Sequence, residues 1–142
     1  MQQTDPRITM VVTDRFATIT MCRPEAKNAL TKAMYAAIRD ACLSAEADSE
    51  VDAVVLKGSD GAFAVGGDLK EMVETGMQVP PDDFLPFVYD NVKLTKPTIA
   101  AVNGWCIAGG TDMILNADVI IAGESATFGY PPARVWGVPE AP

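Results

Sequence analysis

Twice in this chain a run of strand-forming residues passes through adjacent glycines and straight into helix-patterned sequence. The first instance is Phe63-Ala64-Val65-Gly66-Gly67-Asp68-Leu69-Lys70-Glu71-Met72, and the second is Ala101-Val102-Asn103-Gly104-Trp105-Cys106-Ile107-Ala108-Gly109-Gly110-Thr111-Asp112. A strand followed at once by a helix is carried back across its sheet, so the next strand enters parallel rather than as a hairpin. The fold class that follows is α/β with crossover connections.

The rest of the pattern agrees. Residues 8–12 and 16–21 are β-branched runs joined by Thr13-Asp14-Arg15, which predicts a hairpin. Over 31–47, Met34, Ile38, Ala41, Cys42 and Ala45 recur at spacings of four and three, with Lys32, Arg39, Asp40 and Glu46 largely on other faces. This predicts an amphipathic helix capped by Thr31. Residues 53–56 read as a buried strand ended by Lys57-Gly58-Ser59-Asp60-Gly61. Asp68-Leu69-Lys70-Glu71 has the form of a capping box, predicting a helix from there to about Gly76. Pro80 and Pro81 break the chain before a second helix over 83–94, and 98–102 and 119–122 read as further strands. Asn103-Gly104 reads as a turn, and Gly109-Gly110 opens a short helix through Asn116. No internal repeat, low-complexity tract or linker interrupts residues 1–142, and 49% hydrophobic content suffices for one core, so a single domain is expected.

Charge and composition then narrow the chemistry. Nineteen acidic against eleven basic residues give a formal charge of −8, and the basic residues are scattered, which argues against a nucleic acid partner. A small polyanionic ligand remains compatible with that field, since local cations and backbone amides suffice to hold phosphates. The sequence contains no histidine, which removes Ser-His and Cys-His catalysis and His-ligated zinc together. Acid–base chemistry falls to carboxylates, Tyr, Lys or a thiol. Cys22, Cys42 and Cys106 are odd in number, widely spaced and set among apolar neighbours, so buried reduced thiols are expected, with no metal site. The N-terminal Met-Gln-Gln-Thr-Asp-Pro-Arg lacks a basic leader, and no apolar stretch reaches the ~18 residues of a membrane span. A cytoplasmic protein is expected.

Glycine lets a backbone approach a ligand closely, so the two loops brought together could aim two N–H groups at one oxygen, the geometry of an oxyanion hole. Neither matches G-x-G-x-x-G or the P-loop pattern. Singly, each Gly-Gly is as well explained by tight packing. Asp68 reads first as a cap. Asp112 reads equally as an acid–base group or as an acidic residue favoured in the first turn of a helix. Tyr130, Arg134, Lys27 and Lys70 each have a ligand reading beside one of packing or solvation, and Met72, Met77 and Met113 read as core or pocket lining.

Taken together and in this order, with Arg23-Pro24-Glu25-Ala26-Lys27-Asn28-Ala29-Leu30 before them and Ala126-Thr127-Phe128-Gly129 after, the loops make the chain resemble the crotonase family, the enoyl-CoA hydratases and isomerases. The resemblance runs from about Ile8 to Pro139. It implies a ClpP/crotonase-like spiral of ββα turns that binds an acyl-CoA thioester, with coenzyme A as part of the substrate, no separate cofactor and no metal. The amides that polarise the thioester carbonyl and stabilise its enolate would be those of Gly67 and Gly109. Ala26 and Lys27 would lie by the adenosine and phosphates, and Ala64, Gly66, Gly67, Asp68, Leu69 and Lys70 along the ligand.

Hydratases of that family orient one water with two glutamates. At the corresponding positions stand Asp112, one methylene shorter, and Pro132, which can neither accept a proton nor hold a water. Weak hydration at best is expected, and a non-catalytic CoA-binding or oligomer-forming fragment is the alternative. Family members also run longer than this chain. The expectation is therefore a core incomplete at its C-terminus, without the C-terminal helical region that builds the family's trimers. The apolar faces of 119–121 and 31–47 would then be short of cover, and homo-oligomers would form.

Overall fold

The computed structural model describes residues 5–76 and 94–131. Strands β1 (Ile8–Thr13) and β2 (Phe16–Met21) form the expected antiparallel hairpin, with Thr13 opposite Phe16. Its two-residue turn puts Asp14 (φ 50°) and Arg15 (φ 68°) in the left-handed region, as the twist of a tight hairpin requires. Arg15 anchors the turn, its guanidinium reaching Asp52 at 2.5 and 2.7 Å and its carbonyl accepting from the Asp52 amide at 2.7 Å.

Helix α1 (Lys32–Ala47) begins where Thr31 predicts, the Thr31 Oγ1 accepting from the Met34 amide at 3.3 Å. Arg7, held by Asp5 at 2.6 Å, donates to the same Oγ1 at 3.1 Å. At the other end Lys96 Nζ donates to the Ala45 carbonyl at 2.7 Å, closing the last turn. Met34, Ile38, Cys42 and Ala45 are fully buried in the same core as Ile8, Ile19 and Met21. The expectation that α1 is short of cover is therefore overturned, because the hairpin already supplies it.

The chain then winds. β3 (Ala53–Gly58) lies parallel to β2 and leads into a three-residue strand, β4 (Ala62–Ala64), and helix α2 (Leu69–Glu74). β5 (Thr98–Val102), β6 (Trp105–Ile107) and helix α3 (Gly109–Leu115) repeat the sequence of elements, and β7 (Val119–Ala122) and β8 (Thr127–Gly129) begin it again. The long strands form one sheet ordered β1-β2-β3-β5-β7 and the short ones a second ordered β4-β6-β8. All pairs beyond the hairpin are parallel. The crotonase-like spiral of ββα turns is thus present as a structural repeat that leaves no sequence repeat.

Phe63, at the centre of β4, is completely buried, and such burial contributes about 1.5–3 kcal/mol. β7 differs from the other strands of its sheet, with all four residues exposed and Ile121 at 59%. Cys42 and Cys106 are buried free thiols as expected, but Cys22 is exposed. Strand alternation explains it: Met21 takes the inward position that ends β2, and the next side chain faces out. Among the described residues no helix is long and apolar enough to cross a membrane. The expected helix over 83–94, Met77, Pro80, Pro81, Pro132 and Arg134 lie outside the described residues.

Candidate functional site

The segment that carries Arg23 to Leu30 wraps onto the first glycine loop. A short 3-10 turn, Pro24–Ala26, ends in two left-handed residues, Lys27 (φ 51°) and Asn28 (φ 58°). Asn28 is fully buried, and asparagine tolerates that backbone better than other side chains of its size. Its Oδ1 accepts from the Arg23 amide at 2.7 Å, and its Nδ2 donates to the carbonyls of Ala62 (2.8 Å) and Ser59 (3.1 Å). One side chain therefore ties the segment to the start of β4. Leu30 then pairs with Gly67 like a strand residue: its amide donates to the Gly66 carbonyl at 2.8 Å and its carbonyl accepts from the Asp68 amide at 2.9 Å.

Asp68 caps α2, with Oδ1 accepting from the Glu71 amide at 2.8 Å, while Oδ2 meets Arg23 Nη1 at 2.6 Å. The Glu71 amide and, after it, the Arg23 guanidinium hold this carboxyl below its ordinary range. An ionised, fully engaged carboxylate is a cap and a tether, not a base. The capping box is only half formed, because the Glu71 side chain does not return to Asp68 but accepts from the Lys32 amide at 2.7 Å. It joins α2 to the first turn of α1 instead.

The second glycine loop packs directly on the first. A methyl group built on Gly66 (φ 92°) would lie 2.9 Å from the Ala108 methyl and 3.0 Å from the Gly109 nitrogen. One built on Gly110 would lie 2.3 Å from the Ala64 carbonyl oxygen, so only glycine lets α3 approach β4 this closely. Ala108, the residue before α3, adopts φ 49° and ψ −118°, a conformation that favours glycine and is strained for alanine. It turns the chain so that α3 starts against Gly66. Among the described residues, neither the Gly67 nor the Gly109 amide donates to a protein acceptor. Two free N–H groups therefore stand on touching loops.

Around them, the Gly129 carbonyl accepts from the Ala108 amide at 3.1 Å and lies 3.0 Å from Thr111 Oγ1, stitching the end of β8 to the first turn of α3. Asp112 sits in that turn, with its charge close to the Tyr130 hydroxyl. Burial, and then the Asp112 charge, push the Tyr130 phenol up, so it is protonated at neutral pH. Burial likewise pushes the Cys106 thiol up to about 11 and the Cys42 thiol to about 12, which leaves neither as a thiolate nucleophile. Among the described residues no cluster of three Cys, Asp or Glu could hold a metal ion.

Of the residues singled out in the sequence, Gly66, Gly67, Asp68, Ala64, Gly109 and Asp112 come together here. Leu69, 75% exposed, and Lys70 extend outward along the start of α2. Ala26 and Lys27 lie on the wrapped segment, with Lys27 Nζ over the half-exposed Trp105 ring, 5.6 Å from its centre. Arg23, Asn28 and Trp105 were not assigned roles from the sequence. The one available signal was Asn28, a lone amide between strand-forming and helical segments.

The family model described as "Enoyl-CoA hydratase/isomerase" matches residues 13–141. The chain is 37% identical over 129 residues to a probable mitochondrial enoyl-CoA hydratase of Dictyostelium discoideum, covering 88% of this chain and 46% of that protein. It is 34% identical to the 2,3-dehydroadipyl-CoA hydratase of Escherichia coli strain K12, covering 89% and 50%. The crystal structure of a probable enoyl-CoA hydratase/isomerase from Mycobacterium abscessus superposes with a TM-score of 0.82 at 34% identity, over 93% of this chain and 51% of that one. The chain thus spans about half the length of the relatives it matches.

Proposed function

The chain belongs to the enoyl-CoA hydratase/isomerase family, and from that membership we propose that it binds an acyl-CoA thioester and holds the resulting enolate oxygen between the Gly67 and Gly109 amides. The observation that carries this reading is the contact between the two glycine loops, with Gly66 against Ala108 and Gly109 and, among the described residues, no protein acceptor for either amide. Preorganised donors of this kind act on charge as it develops, and removing one typically costs about 10²- to 10³-fold in rate.

Asp112, one turn along α3 from Gly109, is the acid–base group of this reading. In hydration the water oxygen bonds to Cβ and its proton passes to Asp112. The electron pair of the Cα–Cβ double bond becomes a double bond from Cα to the carbonyl carbon as the carbonyl pair moves onto its oxygen, and return of the proton at Cα restores the carbonyl. In isomerisation the same carboxylate takes a proton from the substrate and returns it elsewhere. Ala26 and Lys27 face the adenosine and phosphates in this reading, and Ala64, Leu69 and Lys70 flank the thioester arm. It also includes a cytoplasmic location and a homo-oligomer, trimer-based as the family resemblance implies. The second reading, a CoA-binding fragment without catalysis, is favoured by Pro132 in place of a carboxylate.

Calorimetry with crotonyl-CoA and crotonate tests the ligand, and loss of enoyl absorbance tests the reaction. Binding of the thioester but not the free acid, with slow turnover that Asp112→Asn abolishes, is the expected result. Equal affinity for the two would remove the thioester site, and binding without turnover would select the second reading.

A further inference from the structure

The Gly67 amide takes its direction from residues outside both glycine loops. We propose that Arg23 is a positioning residue for that amide, acting on it through two successive peptide groups. The inference rests on the thioester site proposed above.

The path is a chain of hydrogen bonds. Arg23 Nη1 donates to the Ala29 carbonyl at 3.0 Å. The other end of that peptide group is the Leu30 N–H, which donates to the Gly66 carbonyl at 2.8 Å. The other end of the Gly66 peptide group is the Gly67 N–H. Carbonyl and N–H of a trans peptide share a plane and point in opposite directions, so a partner that fixes one fixes the other. Holding the Ala29 oxygen therefore sets the Leu30 N–H, and holding the Gly66 oxygen turns the Gly67 N–H away from Leu30. Beyond Gly67, the Asp68 amide donates to the Leu30 carbonyl at 2.9 Å. Leu30 thus grips the peptide groups on both sides of Gly67 and uses neither Gly67's own N–H nor its carbonyl.

Arg23 is the fixed end of this path. Nη1 carries two hydrogens, and the second meets Asp68 Oδ2 at 2.6 Å, on a carboxylate already held by the Glu71 amide at 2.8 Å. The Arg23 amide donates to the buried Asn28 side chain at 2.7 Å, so backbone and guanidinium are both anchored. Leu30 and Gly66 are buried and Gly67 is half-buried, which keeps the path inside the fold and leaves its last donor at the surface. Because Asp68 offsets the guanidinium charge, what reaches Gly67 is direction. A donor fixed in this way needs no reorganisation when charge develops on an oxygen in front of it.

The test is isotope-edited infrared spectroscopy of butyryl-CoA bound to the chain, alongside its Kd by calorimetry. The thioester carbonyl stretch falls in frequency when donors polarise it, so the wild type should lower it on binding. Arg23→Gln is expected to lose about half of that displacement or more, because a hydrogen bond weakens steeply once its length and angle drift. Kd should stay within about threefold, since a donor placed for the enolate contributes little to holding the ground state. Arg23→Gln leaves the Asp68 carboxylate unpaired, so it is also combined with Asp68→Asn, which removes that charge and keeps the cap; the same loss is expected. Lys96→Met, which gives up the bond to the Ala45 carbonyl at the far end of α1, lowers stability elsewhere and should keep the wild-type frequency. Arg23 variants that keep the full displacement would overturn the inference, as would an equal loss in Lys96→Met or a loss that tracks weakened binding. A wild-type chain that binds butyryl-CoA without lowering the stretch overturns both the inference and the two-amide site, and leaves thioester binding standing. Absence of binding overturns the whole reading.

Discussion

Arg23 and Asp68, separated by 45 positions in sequence, meet with Nη1 2.6 Å from Oδ2. Both side chains are mostly withdrawn from solvent, at 19% and 13% exposed, so the contact is more than a surface ion pair. The same Arg23 nitrogen donates to the Ala29 carbonyl at 3.0 Å. One guanidinium thus fastens the segment before Leu30 to the residue that follows Gly67, and the Gly67 amide is held between them.

Asp68→Asn isolates the charge of this contact, because asparagine still caps a helix. At pH 7 the substitution is expected to cost about 1.5–3 kcal/mol, the range for hydrogen bonds to charged groups. Asp68 and Asp5 are both held below their ordinary value of 3.8, Asp5 chiefly by Arg7. As pH falls the unfolded chain takes up these protons first. The stability they supply is complete above the ordinary value and is lost as pH drops through the lowered folded values. Urea midpoints between pH 7 and pH 2 should therefore show the gap between wild type and Asp68→Asn closing in acid. A gap independent of pH would mean that the Arg23 contact contributes nothing through charge.

Asn28→Ala leaves the buried carbonyl of Ala62 and the part-buried Ser59 carbonyl and Arg23 amide without their partner. The expected cost is about 2–3 kcal/mol. Chemical denaturation measures it, and a loss under ~0.5 kcal/mol would show that water or a neighbour replaces the amide.

Ala108 and Gly66 face each other, and exchanging a methyl between them should have opposite effects. Ala108→Gly relieves a strained backbone and is expected to stabilise by about 1 kcal/mol. Gly66→Ala places a methyl at φ 92° and 2.9 Å from that of Ala108, and should destabilise by more than ~1 kcal/mol and weaken crotonyl-CoA binding by parting the two loops. Thermal unfolding and calorimetry on the two variants decide it; the same sign of stability change in both would contradict the geometry.

The parts legible in the sequence were those with a period. The hairpin, α1 and its Thr31 cap, β3, β5 and β7 stand where alternation or a spacing of three and four put them, within two residues. β6 and β8 were not resolved as strands, since three residues carry no alternation, and their partners are distant in sequence. The glycine loops were legible because glycine marks close approach locally. The Arg23–Asp68 contact was not, since it depends on how the spiral closes. Glu71 shows the same limit: its spacing from Asp68 fits a capping box, yet the Lys32 amide is the partner it finds.

The exposed β7 presents Val119, Ile120 and Ile121 at 48%, 45% and 59%. Strand edges with apolar faces recruit further strands. Light scattering is expected to show concentration-dependent association, reduced in Ile121→Lys, where a charge on the edge disfavours pairing. An unchanged monomer mass at every concentration in the wild type would dismiss β7 as a contact.

In the five-stranded sheet the order in space is the order along the chain, β1-β2-β3-β5-β7. The hairpin closes first, because its register begins at the adjoining pair Thr13 and Phe16. Each later strand then meets an edge already made, and no position has to be kept open for a segment synthesised afterwards. A chain leaving the ribosome can lay this sheet down from its N-terminal side outward. An interruption at any stage exposes the backbone of the strand most recently added, with the earlier ones already paired, so the growing edge is where a chaperone would find purchase.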